Sequence, residues 1–158
     1  MEALNRLVGR TVPWLTLGMV GVTFAIVVLR YVFGRSWVWP QELVTYLHAL
    51  TFLLAAGWAL SRDAHVRVDL FYSRLSPRRQ ALSDLLGALL LLIPAAGVIL
   101  YQSIPFVLDA WAVFEGSKDP GGLDAVFLLK SAIPLFCILL ILQALVLVNR
   151  GLKGLQRP

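Results

Sequence analysis

Charged residues are spaced along this chain so that four long stretches contain none. Arg10 and Arg30 enclose 19 uncharged residues, Glu42 and Arg62 enclose 19, Asp84 and Asp109 enclose 24, and Lys130 and Arg150 enclose 19. A helix needs about 20 mostly apolar residues to cross a bilayer. These stretches are apolar all round, without the polar face that a helix in a soluble bundle keeps. The pattern predicts an all-α membrane protein with four transmembrane helices over about 12–33, 40–61, 77–114 and 125–149, within a single membrane domain of residues 1–158. From Pro77 to Phe114 is 38 residues, about 57 Å of helix at 1.5 Å per residue, against a hydrocarbon core about 30 Å thick. The membrane part of that helix is expected near 85–108, with kinks at Pro94 and Pro105.

Local signals refine the boundaries. Pro13 is expected in the first turn of the first helix, where its missing N–H costs little. That helix has a basic start and an apolar core like a signal peptide, but its apolar run is long and no small-x-small site follows, so it is expected to be retained. Trp37 and Trp39 suit the membrane–water interface. Ser76 and Pro77 are expected as N-cap and first residue of the third helix. Between helices 2 and 3 lies a charged belt, "LSRDAHVRVDLFYSRLSPRRQ", with five arginines, two aspartates and a histidine. Within it Val68, Phe71, Tyr72 and Leu75 fall at i, i+3, i+4 and i+7 on one helical face. A short amphipathic helix lying in the membrane surface fits that spacing. In "EGSKDPGGLD", Pro120-Gly121-Gly122 marks a tight turn.

Composition agrees: 59% of the 158 residues are hydrophobic. The formal charge of +5 fits anchoring charges of a membrane protein, and no nucleic-acid partner is expected. Of the fourteen Lys and Arg residues, ten (Arg6, Arg10, Arg62, Arg67, Arg74, Arg78, Arg79, Arg150, Lys153, Arg157) fall with the two termini and the belt. Four (Arg30, Arg35, Lys118, Lys130) fall on the other side. The positive-inside rule then places both termini and the belt in the cytoplasm. The belt arginines suit anionic membrane lipids and could also dock a partner protein. The single cysteine, Cys137, allows no disulfide within the chain and no cysteine metal cluster.

Candidate chemistry is sparse. Glu42 opens the second helix, where the helix dipole favours a carboxylate; an ionisable group there could also bind a proton or cation. His48, inside the same helix, reads as a buried, hydrogen-bonded histidine or, alternatively, a haem ligand. His65, Arg67 and Asp69 could form a polar cluster that shapes the belt or docks a partner; they make a poor metal site. Asp84 is expected to pair with belt arginines or snorkel to the interface, and Asp109 to lie near the opposite interface. No phosphate loop, metalloprotease motif or nucleophile elbow occurs. No enzymatic activity, metal or cofactor is expected.

Two short motifs carry a family resemblance. Trp39-Pro40-Gln41-Glu42 gives Trp-x-x-Glu at the start of helix 2, and His65-Val66-Arg67-Val68-Asp69 gives His-x-x-Val-Asp after it. In order and spacing the chain resembles the small (Q-type) permease subunit of tripartite ATP-independent periplasmic (TRAP) transporters. A glycine often found shortly before the histidine is missing. Pro120 to Leu123 with Lys130 is similar to a subgroup linked to 2-oxo acids and similar organic acids. The resemblance implies a bacterial inner-membrane scaffold without catalytic residues. It also implies two partners, a large multi-helix permease subunit driven by sodium and a periplasmic substrate-binding protein. Two other classes stay open: a self-sufficient four-helix transporter, and a haem or redox anchor subunit built on His48.

Overall fold

The computed structural model of the chain describes residues 2–62, 72 and 75–156. It is all-helical among those residues. In chain order the helices are α1 (Glu2–Tyr31), α2 (Trp39–Ser61), α3 (Pro77–Gly87), a π-helical turn (Ala88–Leu92), α4 (Ile93–Ala112) and α5 (Val126–Gln156). Segments Val8–Tyr31, Trp39–Leu60, Pro77–Ala112 and Val126–Lys153 are each long and apolar enough to cross a membrane. The start of α1, the end of α2, the start of α3 and the end of α5 lie at one end of the bundle, with Gly9 against Trp58 and Gly151 against Leu85. The 32–38 turn and the 113–125 loop lie at the other.

Two prolines behave differently from the sequence expectation. Pro13 is inside α1 rather than in its first turn, because helix extends back to Glu2. The polar residues before Arg10 carry no stop signal, so nothing ends the helix where the apolar run begins. In the third span the irregularity sits at Pro94 alone: the π-helical turn ends two residues before it, at Leu92, while α4 runs through Pro105 unbroken. Pro94 cannot donate to the carbonyl of Leu90 and its ring crowds that oxygen. Widening the preceding turn to the π pattern accommodates both. Ser76 does precede Pro77 in extended conformation, but its hydroxyl makes no cap; the carbonyl of Ser76 accepts from the N–H of Gln80 at 2.9 Å.

α5 is the packing centre. Cys137, Gln143 and Ala144 are fully buried, and Ala132 and Leu139 nearly so. Leu60 of α2, Ala96 of α4 and Leu140 of α5 form a core cluster, with Ala56, Leu92, Phe136 and Leu147 against it. α1 packs chiefly on α2: Gly9 lies so close to the indole of Trp58 that a Cβ there would overlap the ring. Where α3 meets α5, Gly151 sets the spacing, since a Cβ on it would sit 3.1 Å from Leu85 Cβ and 3.2 Å from the carbonyl oxygen of Ala81. Helix pairs in lipid gain from such close approach of small residues.

Gly151→Val should force α3 from α5 and lower stability by about 1–3 kcal/mol, the usual cost of overpacking. Gly97, whose Cβ would meet nothing within 4 Å, serves as the control: Gly97→Ala should be neutral or slightly stabilising. Thermal unfolding of the purified variants in detergent measures both.

Candidate functional site

The 113–125 loop is built from its own backbone. α4 ends in a Schellman motif: the N–H of Glu115 donates to the carbonyl of Ala110 at 2.9 Å, and that of Phe114 to Trp111 at 3.3 Å. The left-handed position is filled by Phe114, φ +46°, where glycine is usual and a side chain costs roughly 1–2 kcal/mol. Its ring offsets this by packing edge-on against Phe127, centroids 5.6 Å apart, and beside Trp111. The carbonyl of Glu115 then accepts the first-turn N–H of Phe127 at 3.2 Å. Further along, Asp119-Pro120-Gly121-Gly122 makes a type II turn. The N–H of Gly122 donates to Asp119 at 3.0 Å, and Gly121 has φ +78°. The N–H of Ser117 donates to Leu123 at 3.1 Å and closes the loop on itself.

Glu42 is held by this loop. The Ser117 hydroxyl donates to Oε1 of Glu42, and the backbone N–H of Leu123 donates to Oε2 at 2.6 Å. Both bonds are charge-assisted and therefore stronger than neutral ones. Gly122 makes room for them: a Cβ there would lie 2.6 Å from Oε2 and overlap the Ser117 side chain. The carboxylate thus ties the start of α2 to the α4–α5 loop. One turn further along α2, the buried hydroxyl of Tyr46 has no hydrogen-bond partner among the described residues. A second tie joins the loop to α5. Lys130, half-buried within the fourth apolar helix, pairs with Glu115 and lies over the Phe106 ring, 4.0 Å from its centroid. Trp111 Nε1 donates to Ser131 Oγ at 2.9 Å, and that hydroxyl donates to the carbonyl of Phe127.

Among the described residues, the sequence-derived candidates do not converge. Trp39 is exposed beside the Glu42 tie. Tyr72 and Leu75 lie at the opposite end of the bundle and are half-buried. There the Tyr72 hydroxyl donates to Asp84 Oδ2 at 2.8 Å, beside a cleft of about 250 Å³ that Arg150 and Gln80 also line. His65, Arg67, Val68, Asp69 and Phe71, and with them the expected surface helix, lie outside the described residues. His48 corrects the expectation of burial: it is exposed, with its ring 5.7 Å from that of Phe52. The partners of Glu42 are 75 and 81 residues away; the Pro-Gly-Gly turn was the visible sign of a shaped loop, but nothing local connects it to Glu42. No group of three or more potential metal ligands occurs among the described residues.

Residues 19–154 match the family model described as "Tripartite ATP-independent periplasmic transporters, DctQ component". No curated protein and no solved structure matches the chain.

Removing the Glu42 tie should loosen the loop without unfolding the bundle. In Glu42→Ala, amide exchange of Ser117 and Leu123 is expected to rise about tenfold to about a hundredfold, the range for losing hydrogen bonds to a charged group. Gly122→Ala should act in the same direction. Exchange unchanged in both variants would show that the loop holds itself without the carboxylate.

Proposed function

Because the chain belongs to the DctQ component family of tripartite ATP-independent periplasmic transporters, we propose that this small subunit scaffolds a large permease subunit that takes up organic acids, driven by sodium. A periplasmic binding protein delivers the substrate. The observation that carries the scaffold reading is the engagement of Glu42. The one carboxylate placed by the sequence as a cation or proton site is occupied by the loop. Among the described residues the largest fully buried side chains are Gln143 and Cys137, neither a charged group. A transporter working by itself would be expected to hold an ionisable group within the bundle. His48 points the same way: it is exposed rather than placed between helices of this chain, which weakens the haem-anchor alternative.

As a multi-pass inner-membrane protein, the chain takes its orientation from its charges. Both termini are assigned to the cytoplasm by the ten-to-four split of Lys and Arg, and the 113–125 loop to the periplasm. Reporter fusions at Gly116 and after Pro158 should then report opposite sides, and the same side for both would overturn this topology.

Liposomes test the scaffold itself. This chain alone, with a sodium gradient and the binding protein, should take up no organic acid. Uptake should need the large membrane subunit as well as this chain. Uptake by this chain alone would refute the scaffold reading.

A further inference from the structure

The exposed residues of α2 form one stripe. From Trp39 to Leu60 they are Trp39, Gln41, Thr45, His48 and Phe52; the last four fall at i, i+4, i+7 and i+11, a single helical face. Three of those four are polar. The neighbouring flanks of α2 are apolar where they meet other helices, with Leu47 toward Gly18 of α1 and Ala56 and Leu60 in the core cluster with α5. Besides the inward Glu42 and Tyr46, α2 thus also turns polar groups outward, where a helix in lipid usually carries apolar ones. α1 presents the contrast: its exposed face carries Trp14, Leu17, Val20, Phe24 and Val27, and its exposed Thr23 hydroxyl is satisfied by the carbonyl of Met19 at 2.8 Å. That face suits hydrocarbon.

Within the α2 stripe, Gln41 and Thr45 also donate to carbonyls of their own segment, those of Trp37 and Gln41. His48 makes no hydrogen bond among the described residues; the Phe52 ring lies 5.7 Å from its own. It is the tenth residue of a 23-residue helix, about 14 Å from Trp39 at 1.5 Å per residue, near half the depth of a core about 30 Å thick. An imidazole is too short to snorkel from there to water, and acyl chains offer it no partner.

We propose that Gln41, Thr45, His48 and Phe52 form the face through which this chain packs against the large membrane subunit. The imidazole of His48 then hydrogen-bonds a polar side chain on one of that subunit's helices. The proposal rests on the reading of the chain as one component of a tripartite transporter, and adds to it which face makes the contact. A large membrane subunit can bring a complementary donor or acceptor at the depth of His48. A second copy of this chain would set imidazole against imidazole, with one hydrogen bond between two rings.

The test uses the full chain co-expressed with a tagged large subunit. A benzophenone-bearing amino acid replaces Thr45, His48 or Phe52 in α2, or Val20 or Phe24 in α1. Adducts to the tagged subunit are expected from the α2 positions and not from α1. In separate variants, His48→Leu should weaken the complex about threefold to about fifteenfold, as expected for one interhelical hydrogen bond, and His48→Asn should recover most of the loss. Adducts from α1 but not α2 would overturn the proposed face while leaving the scaffold reading intact. So would adducts from α2 only to lipid or to a second copy of the chain. Failure of the wild-type chain to co-purify with the large subunit would overturn both readings.

Discussion

Hydrocarbon offers no hydrogen bonds, so each polar group that this chain carries into or near a bilayer has to be met by protein. The helices meet the backbone groups. Hydroxyls of Thr16, Thr23, Thr45 and Thr51 meet themselves, each donating to a carbonyl one turn back. Two charges of the spans near the loop end are met by protein partners: Glu42 by Ser117 and Leu123, Lys130 by Glu115. Where backbone hydrogen bonding is broken, at Pro94, the helix changes its pitch locally to a π turn. The same demand shapes the loop, whose turns and Schellman end account for most of its donors internally.

Packing between the helices follows from a related condition. Lipid tails are as apolar as leucine, so burying leucine between helices gains little, and close fit does the work. α5 shows this with Ala132, Cys137 and Ala144 among its most buried positions, beside the larger Leu139 and Gln143, and with Gly151 against α3. It touches α2, α3 and α4, whereas α1 rests mainly on α2. The fold is thus a tight group of three spans around α5, with α1 on the flank and its aromatic face outward.

Much of this was legible from the spacing of charges. Gaps of 19 to 24 uncharged residues are long enough to demand four helices, and that demand is independent of any long-range contact. The boundaries were less legible. Pro13 reads as a helix start only if the helix begins with the apolar run, and Glu2 to Arg10 continue it instead. Pro94 and Pro105 are equivalent in sequence terms, yet only Pro94 is preceded by a widened turn. Glu42 stood out as a carboxylate at a helix start, which dipole reasoning explains without reference to anything else. Its actual partners come from a loop some 80 residues later, and no periodicity reports such a pairing. His48 is exposed where a polar residue in an apolar helix is expected to face inward, because that expectation counts only contacts a chain makes within itself.

Fixing helix ends and fixing helix middles are separate problems in a membrane, and this chain solves them at different places. The Glu42 and Lys130 ties join α2, the end of α4 and α5 at the loop end. The Leu60–Ala96–Leu140 cluster joins the same three spans farther along. Two separated attachments between the same helices prevent them from pivoting about either one, because rotation at one attachment would have to break the other. The π turn before Pro94 lies between α3, which Gly151 holds close to α5, and α4, which the loop holds. A bundle braced in this way has Glu42 and Lys130 tied at the loop end, and the largest fully buried side chains of its described residues, Gln143 and Cys137, carry no charge. Such bracing fits the scaffold role proposed above, in which this chain supports a neighbour that moves.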